Sequence, residues 1–434
     1  MDYQHALAFA AASDALCLFT GAGFSKHLSG GSAPTWLELL EESCNSLDDP
    51  ANAKAQLAQA AATYPLEDCA QILDIAFIRE GKDLREALAE RIDQVSLSPT
   101  NATAIRDFLT QNPSTTVVTT NYDRLLEHSL DGLPHVSNYP GKPIARRSGA
   151  VQIFHIHGSV ESAPSIVATT SDYYRFINED GYFSQKTLSL MHESSVVILG
   201  YSLSDPNLKA ILSELKNHGS RSINRGNIFY VTRGVVPPFV RDYYEAAFGI
   251  VVIENMEVDA LLRLVAVRVP NARTQVSQTE QDIRDVLSGQ KHWVDNFIRL
   301  QPSLFQIFAT ANINGIDVRS SLFVAMLSDI LQRKIAFTQI SGAWEQYSHL
   351  ADWLVHIGAI IDIRGTALES VYLSSVRHSM ASMSSGYVRG KSWYAYSVWK
   401  EKWKFVSFDN RIMIREHIRS HLPHVTDAIS VVAQ

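Results

Sequence analysis

The 434-residue sequence is poor in cysteine, which limits the kinds of site it can build. Its three cysteines, Cys17, Cys44 and Cys69, are scattered and show no paired spacing. Three cysteines exclude a four-cysteine zinc site, and unpaired thiols suit a reducing compartment. We therefore expect a cytoplasmic protein that uses no metal ion.

The sequence also lacks a long apolar run and an export signal. No apolar stretch approaches the length of a membrane span, and the N-terminal MDYQHALAFAAAS is not basic and then apolar. Apolar residues make up 46% and charged residues 19%, as in ordinary globular proteins. Residues 271–434 carry 17 Lys and Arg against 14 Asp and Glu, a net +3, whereas residues 1–270 carry −10. The C-terminal part is therefore the better candidate for contact with an anionic partner.

A glycine turn, Phe19-Thr20-Gly21-Ala22-Gly23-Phe24-Ser25, follows the first predicted strand, residues 15–19. Glycine has no Cβ, so such a turn can be tight and a ligand can approach its backbone. The amides that follow direct partial positive charge towards an anion. Only two of the three glycines of the dinucleotide fingerprint are present, and no strand-end acid follows about twenty residues later. By itself the turn indicates either a phosphate site or an ordinary turn.

Predicted strands and helices alternate over the first 268 residues. The strands are short and almost continuously apolar, at 15–19, 115–119, 151–156, 195–199, 227–232 and 249–253. Helices are predicted over 2–13, in a long alanine-rich insert at 35–111, and over 120–128, 171–177, 182–192 and 206–217. The loop Asp131–Gly149 is rich in proline and glycine, so we expect it to be exposed and irregular. The alternation predicts an α/β fold with a doubly wound parallel sheet, covered by helices on both faces.

Polar motifs follow five of the predicted strands. They are Gly21–Ser25, Thr120–Asp123, His157-Gly158, Gly200–Asp205 and Thr232–Gly234. Ligands of parallel α/β sheets bind at the carboxyl ends of the strands. The motifs therefore predict one ligand site at that edge of the sheet.

The remainder of the chain is predicted to be mainly helical. Residues 269–279 are polar, contain Pro270 and are predicted to be a linker, and residues 280–434 form the second domain. Its helices are predicted at 280–300, 302–312, 320–332 and 343–361. The segment Lys391–Lys404 is aromatic and basic. Its tryptophans either fill a core or a protein interface, or they stack on bases while the lysines bind phosphates.

Four motifs, in their order and approximate spacing, resemble the sirtuin-like superfamily over about residues 15–255. They are Thr20–Ser25, Thr120–Asp123, His157-Gly158 and Gly200–Leu203. The resemblance implies a Rossmann-type sheet in residues 1–268 that binds NAD, with the nicotinamide end in a closed pocket. The chain departs from sirtuin deacylases because it lacks their paired-cysteine zinc module and their Asp-Phe-Arg segment after the glycine turn. Its Pro34-Thr35-Trp36 and its Gly200–Pro206 segment are similar to bacterial sirtuin-like proteins of anti-phage defence.

The resemblance also implies roles for individual residues. Asn121 would hold the ribose and a water molecule, His157 would act as general base, and Asp123 would orient a neighbour or cap its helix. The remaining NAD contacts would come from Gly21, Ala22, Gly23, Ser25, Thr120, Asp123, Gly200, Ser202 and Asp205. From the residues alone, Asn121 can equally be a helix cap, His157 a strand-end structural histidine, and Asp205 the N-cap of the helix that follows. We expect His155 to be structural.

The activity implied by the resemblance is NAD glycohydrolysis, with NAD as the substrate and nicotinamide and ADP-ribose as products. In anti-phage defence this reaction starves the infected cell, in a response called abortive infection. We expect a switch by oligomerisation or by a partner, acting on the Asp131–Gly149 loop or on the insert after Trp36. Related defence proteins form homo-oligomers or work with a HerA-like ATPase or a nucleotide-processing enzyme. The alternatives are an NAD-dependent protein deacylase and a non-catalytic sensor of NAD or ADP-ribose, and nucleic acid is a less favoured partner.

Overall fold

A computed structural model describes residues 3–145, 147–178, 181–202, 209, 212 and 228–434. The described chain divides into two compact units, the first reaching Ala272 and the second beginning at Arg273. None of the helices in these ranges is both long enough and apolar enough to cross a membrane. Asp205 and most of the predicted helix at 206–217 lie outside the described residues.

The described part of the first unit contains one sheet of seven strands. Their bounds are Leu16–Thr20 (β1), Thr116–Thr119 (β2), His135–Asn138 (β3), Val151–His155 (β4), Ser195–Leu199 (β5), Ile228–Val231 (β6) and Ile250–Ile253 (β7). The order is β3-β4-β2-β1-β5-β6-β7, and every neighbouring pair is parallel. The chain leaves β1 towards β2 and later returns to its other side as β5, which is the point where such sheets open a ligand crevice. The predicted doubly wound parallel sheet is confirmed.

The central strand β1 is apolar from Leu16 to Phe19 because both of its faces are covered. Leu16 and Leu18 pack into the core on one face of the sheet, and Cys17 and Phe19 pack into the core on the other. Successive side chains of a strand point to opposite faces, so a strand covered on both faces needs apolar residues throughout. All five residues of β1 are buried.

Helices surround this sheet and form the predicted insert. Their bounds are Tyr3–Ala12, Ala22–Leu28, Trp36–Ser43, Pro50–Ala61, Leu66–Arg79, Leu84–Asp93, Pro99–Gln111, Leu125–Ser129, Thr170–Asn178, Gly181–His192 and Pro238–Phe248. The insert begins with a capping box, in which Glu38 N donates to Thr35 Oγ1 and Thr35 N donates to Glu38 Oε2. Its helices pack around an apolar cluster that includes Leu40, Phe77 and Leu88, and Ile166 and Ala168 from outside the insert join this cluster.

Two local predictions were wrong. The Asp131–Gly149 loop contains β3, whose backbone pairs with β4 from His135 opposite Val151 to Asn138 opposite Phe154. Its sequence, His-Val-Ser-Asn, has a single apolar residue, so apolar patterning could not reveal an edge strand. The predicted helix at 120–128 is the shorter Leu125–Ser129. The helix predicted from Thr35 is present as Trp36–Ser43, but the helix Ala22–Leu28 directly after the glycine turn was not predicted.

The described second unit is helical. The long helix Val258–Leu287 runs from the first unit into the second, and the helices that follow are Asp295–Arg299, Ser303–Ile313, Ser321–Thr338, Glu345–Ile360, Glu369–Ala381, Trp393–Lys402, Phe408–His421 and Thr426–Val432. The predicted linker at 269–279 lies inside Val258–Leu287, although it contains Pro270. The roles assigned to the two units from the sequence stay predictions.

The aromatic and basic segment is split between the core and the surface. Trp399 and Trp403 are fully buried among the helices of the second unit. Trp393 and Tyr394 are exposed, and nearby Tyr387 is 95% exposed. The two buried tryptophans therefore have a core role, and a nucleic-acid contact by the exposed rings stays a prediction.

Candidate functional site

A cavity of about 550 Å³ opens at the carboxyl ends of β1, β2, β4 and β5. This volume falls within the roughly 300–1,000 Å³ of small-molecule sites. Of the residues predicted from the sequence, those that line it are Ala22, Gly23, Ser25, Thr120, Asn121, Asp123, His157, Gly200 and Ser202. The structure thus brings together motifs from four strand ends. Gly21 lies behind the lining and contacts Asn121 through its carbonyl group.

The orientation of the Asn121 side chain is determined by two hydrogen bonds. Its Nδ2 donates to Gly21 O at 2.9 Å and to Ser25 Oγ at 2.7 Å. Only the nitrogen of an amide can donate to a carbonyl, so Nδ2 and Oδ1 cannot be exchanged. Because both amide hydrogens are used within the protein, Oδ1 is the atom that Asn121 can offer to a ligand. The group can accept a hydrogen bond from a hydroxyl or from water.

Ser25 links this amide to Asp123. Its Oγ donates to Asp123 Oδ2 at 2.5 Å, and Asp123 Oδ1 accepts a bond of 3.0 Å from Leu125 N at the start of a helix. Asp123 therefore contacts both a neighbouring side chain and the first turn of its own helix. Burial raises the pKa of Asp123, and the hydrogen bond from Ser25 opposes that rise. The chain from Asp123 through Ser25 restrains the amide of Asn121.

His157 is buried, and its burial changes its pKa. The residue is 6% exposed, and the ring of Tyr173 approaches it edge-on with centroids 5.2 Å apart. Burial lowers the pKa of His157 from 6.5 to about 4, because desolvation disfavours the imidazolium. The imidazole is neutral at pH 7 and can accept a proton there. The sequence argument assumed titration near neutrality and could not include this burial.

This shifted pKa predicts a pH dependence of folding stability. Between about pH 4 and pH 6.5 the unfolded chain binds a proton at His157 that the folded chain does not. The contribution of His157 to folding stability is complete above pH 6.5 and is lost as the pH falls towards 4. We expect wild-type protein to lose about 2 kcal/mol more unfolding free energy than His157→Gln between pH 7 and pH 5. Urea unfolding of both proteins at the two pH values measures this, and an equal loss would contradict it.

The glycines of the first turn allow the ends of β1 and β5 to pack closely. Gly21 N donates to Leu199 O at 3.0 Å, and Gly23 N donates to Gly200 O at 2.9 Å. A Cβ on Gly23 would lie 2.8 Å from Gly200 O, and one on Gly21 would lie 2.6 Å from the ring of Tyr201. These two amides are used inside the protein, so the structure gives the glycines a packing role. Their predicted role in binding a phosphate stays a prediction.

Sequence reasoning missed two parts of the cavity. Tyr201 stacks on Phe19 with centroids 5.1 Å apart, and its hydroxyl bonds to Thr120 Oγ1. Tyr201 lies inside the Gly200–Leu203 motif, so its position beside the cavity could have been inferred from the sequence. The insert supplies a whole wall, which includes Trp36, Leu39, Pro65, Leu66, Glu67 and Ile92. No local pattern indicates which residues of a helical insert face a distant strand end.

A buried ion pair fixes the insert to the helix that carries Tyr173. Arg85 Nη2 donates to both carboxylate oxygens of Asp172, at 2.8 and 2.7 Å, and Arg85 Nη1 lies 3.3 Å from Asp74. Although burial opposes it, the amide of Thr169 and the charge of Arg85 lower the pKa of Asp172. One guanidinium nitrogen bonds to both oxygens of Asp172 and the other bonds to Asp74, so the guanidinium is held in a defined position. One wall of the cavity is thereby held against its neighbour.

The described residues contain no group of three or more His, Cys, Asp or Glu side chains placed to hold a metal ion. The side chains around the cavity offer instead hydroxyl, amide, imidazole and carboxyl groups together with aromatic rings. This set can bind a polar organic molecule and hold a water molecule beside it.

Comparison with known proteins finds similarity over part of the chain. Residues 115–253 match the family model of the SIR2-like domain. The NAD(+) hydrolase ThsA of Cytobacillus dafuensis is 25% identical over 210 residues, which cover 47% of this chain and 38% of that protein. The Bacillus cereus protein of the same name is 27% identical over 48% of this chain and 41% of its own length, and that of Enterococcus faecium is 26% identical over 46% and 39%. The chain spans about two fifths of the length of these relatives.

Proposed function

We propose, from the premise that this chain carries a SIR2-like domain, that it is an NAD glycohydrolase. The reaction would convert NAD and water to nicotinamide and ADP-ribose. The observation that carries the proposal is the convergence of Asn121, Asp123 and His157 on one cavity of suitable size. The names of the relatives support the same reaction, because each is called an NAD(+) hydrolase.

Cleavage of NAD requires the protein to orient the ribose and a water molecule, and it does not require the protein to donate a proton to nicotinamide. Cleavage of the bond between nicotinamide and ribose builds positive charge at the anomeric carbon, as in glycoside hydrolysis. Nicotinamide leaves as a neutral molecule, so it needs no proton from the protein. The oxygen of one water molecule bonds to the anomeric carbon, and a proton of that water is released. The protein must hold the ribose and the water in line and exclude bulk solvent.

The side chains of the cavity match these tasks. Asn121 Oδ1 accepts a hydrogen bond from a ribose hydroxyl or from the attacking water. His157 is unprotonated at pH 7, which is the form a general base needs, and its lowered pKa makes it a weaker base than a free imidazole for the proton that the water or a ribose hydroxyl releases. The aromatic rings of Tyr122 and Tyr173 and the apolar wall of the insert lower the amount of water around the reacting bond.

Incubation of the purified chain with NAD, with and without an acyl-lysine peptide, tests this function. We expect nicotinamide release without peptide, measured by liquid chromatography, since the cavity supplies the groups that activate water. Release that depends on the peptide would identify a deacylase instead. NAD binding without turnover, measured by calorimetry, would identify a sensor.

We further propose that the enzyme is a cytoplasmic, toxic effector of anti-phage defence that acts by abortive infection. An NAD hydrolase that is always fully active would harm its own cell, so homo-oligomerisation or a partner such as a HerA-like ATPase or a nucleotide-processing enzyme would raise the activity from a low basal rate, which the assay of the purified chain measures. The insert is the element best suited to such control, because it forms a wall of the cavity and its helices pack around one apolar cluster. The Arg85–Asp172 pair holds this wall, and a shift of the insert would open or close the site.

A further inference from the structure

A buried histidine and a buried glutamate lie directly behind the cavity. His155 is 1% exposed and Glu127 is 2% exposed, and His155 Nε2 lies 2.7 Å from Glu127 Oε1. The other ring nitrogen, His155 Nδ1, lies 2.8 Å from the carbonyl oxygen of Asn121. A carbonyl oxygen only accepts, so Nδ1 must donate to it. With ionised Glu127 as the second acceptor, both ring nitrogens carry hydrogen and the ring is an imidazolium.

The directions of the pKa shifts of His155 and Glu127 agree with an imidazolium beside a carboxylate. Burial disfavours both charges, but their mutual attraction raises the pKa of His155 and lowers the pKa of Glu127. Ser137 Oγ of β3 donates to the same Glu127 Oε1 at 2.6 Å, which further stabilises the carboxylate. Removing one partner from a buried ion pair is costly because the other charge is left uncompensated. The pair is therefore a rigid unit that connects β4, β3 and the helix Leu125–Ser129.

This unit restrains Asn121 from the main-chain side. Asn121 N donates to Thr119 Oγ1 at 3.0 Å, and Asn121 O accepts from His155. The side-chain amide is held separately by Gly21 and Ser25. An Asn side chain is short, so its Oδ1 is placed only as accurately as the peptide unit that carries it. Two independent sets of contacts, one for the peptide and one for the amide, give a single position.

We propose that His155 and Glu127 form a charged positioning pair, which holds the main chain of Asn121 and so directs its Oδ1 at the bond to be cleaved. The inference rests on the proposed NAD hydrolysis. Neither residue lines the cavity, so their effect on the reaction passes through Asn121. A purely structural role would affect stability without a selective effect on the chemical step.

Kinetics of three variants tests the pair. His155→Leu removes the donor to Asn121 O, and we expect kcat to fall about 10- to 100-fold with little change in KM, because misplacement of a catalytic group affects the transition state. His155→Asn keeps a donor near the position of Nδ1 and should recover part of that loss. His128→Leu is the matched control, since His128 is exposed on the same short helix as Glu127, and it should leave kcat unchanged. Wild-type kcat in folded His155→Leu would overturn the proposal.

An ¹⁵N NMR spectrum of the histidine ring nitrogens tests the pair without any NAD turnover. In ¹⁵N-histidine-labelled protein at pH 8 we expect a signal from a ring with hydrogen on both nitrogens that is absent from His155→Asn. In Glu127→Gln the amide can donate to Nε2, so the ring becomes neutral with hydrogen on Nδ1 alone. If wild-type protein releases no nicotinamide, the proposed function fails, while the spectrum still tests the pair. A singly protonated His155 in wild-type protein would overturn it.

Discussion

We expect Asn121→Ala to lower kcat for NAD hydrolysis by about 100- to 1,000-fold while the protein stays folded. The substitution removes Oδ1, the atom of this side chain that the two internal hydrogen bonds leave for the substrate. Binding of NAD should be less affected, because the cavity wall and the other strand ends remain. Nicotinamide release gives kcat, and calorimetric titration with NAD gives the affinity.

Asn101→Ala is a matched control for that variant. Asn101 Nδ2 also donates to a backbone carbonyl, that of His27, at 2.7 Å, and Asn101 is not part of the cavity lining. Both variants therefore lose a side-chain amide bonded to the main chain, but only one loses a group that faces the substrate. Similar kcat values for the two would remove Asn121 from the mechanism.

Gly200→Ala should lower the free energy of unfolding by about 3 kcal/mol or more. Gly200 has a φ of +70°, a conformation that residues with a side chain rarely adopt. A Cβ at this position would lie 2.1 Å from the backbone nitrogen of Phe24, which belongs to the helix directly after the glycine turn. The neighbour is main chain, so the contact cannot be relieved by a change of rotamer. Strain and overlap therefore add.

Gly132→Ala separates these two causes. Gly132 has a φ of +79°, but nothing lies within 4 Å of the position its Cβ would take. This variant should show the backbone strain alone, about 1–2 kcal/mol. Urea unfolding at one pH compares both variants with wild type. If Gly200→Ala were no less stable than Gly132→Ala, the close approach of β5 to the first turn would be refuted.

The sequence predicts the sheet well because its strands carry a local signal. A strand such as Ser195–Leu199 is apolar at successive positions, and the polar residues that follow it fall at one edge of any parallel sheet. This reasoning places Asn121 and His157 at the same edge, and the structure brings both to one cavity. Strand β3 has no such signal, since its assignment depends on pairing with β4.

The details of the site depend on contacts between distant segments and could not be predicted. The low pKa of His157 follows from burial, and the bond from His155 to Asn121 follows from the fold of β4 against the loop after β2. The wall from the insert depends on an ion pair between Arg85 and Asp172, 87 residues apart. Nothing in the local sequence of either residue indicates its partner.

The order in which the sheet is built has a consequence for biosynthesis. Strand β1 leaves the ribosome first, yet Cys17 pairs with Thr116 and Leu16 pairs with Ser195, so both neighbours are made much later. Until β5 emerges, a nascent chain has an unpaired edge on its central strand, where chaperones or other chains can bind. The residues that line the cavity at the four strand ends are all present only after Ser202 has been synthesised. If the proposed function holds, a nascent chain that ends before this point cannot hydrolyse NAD.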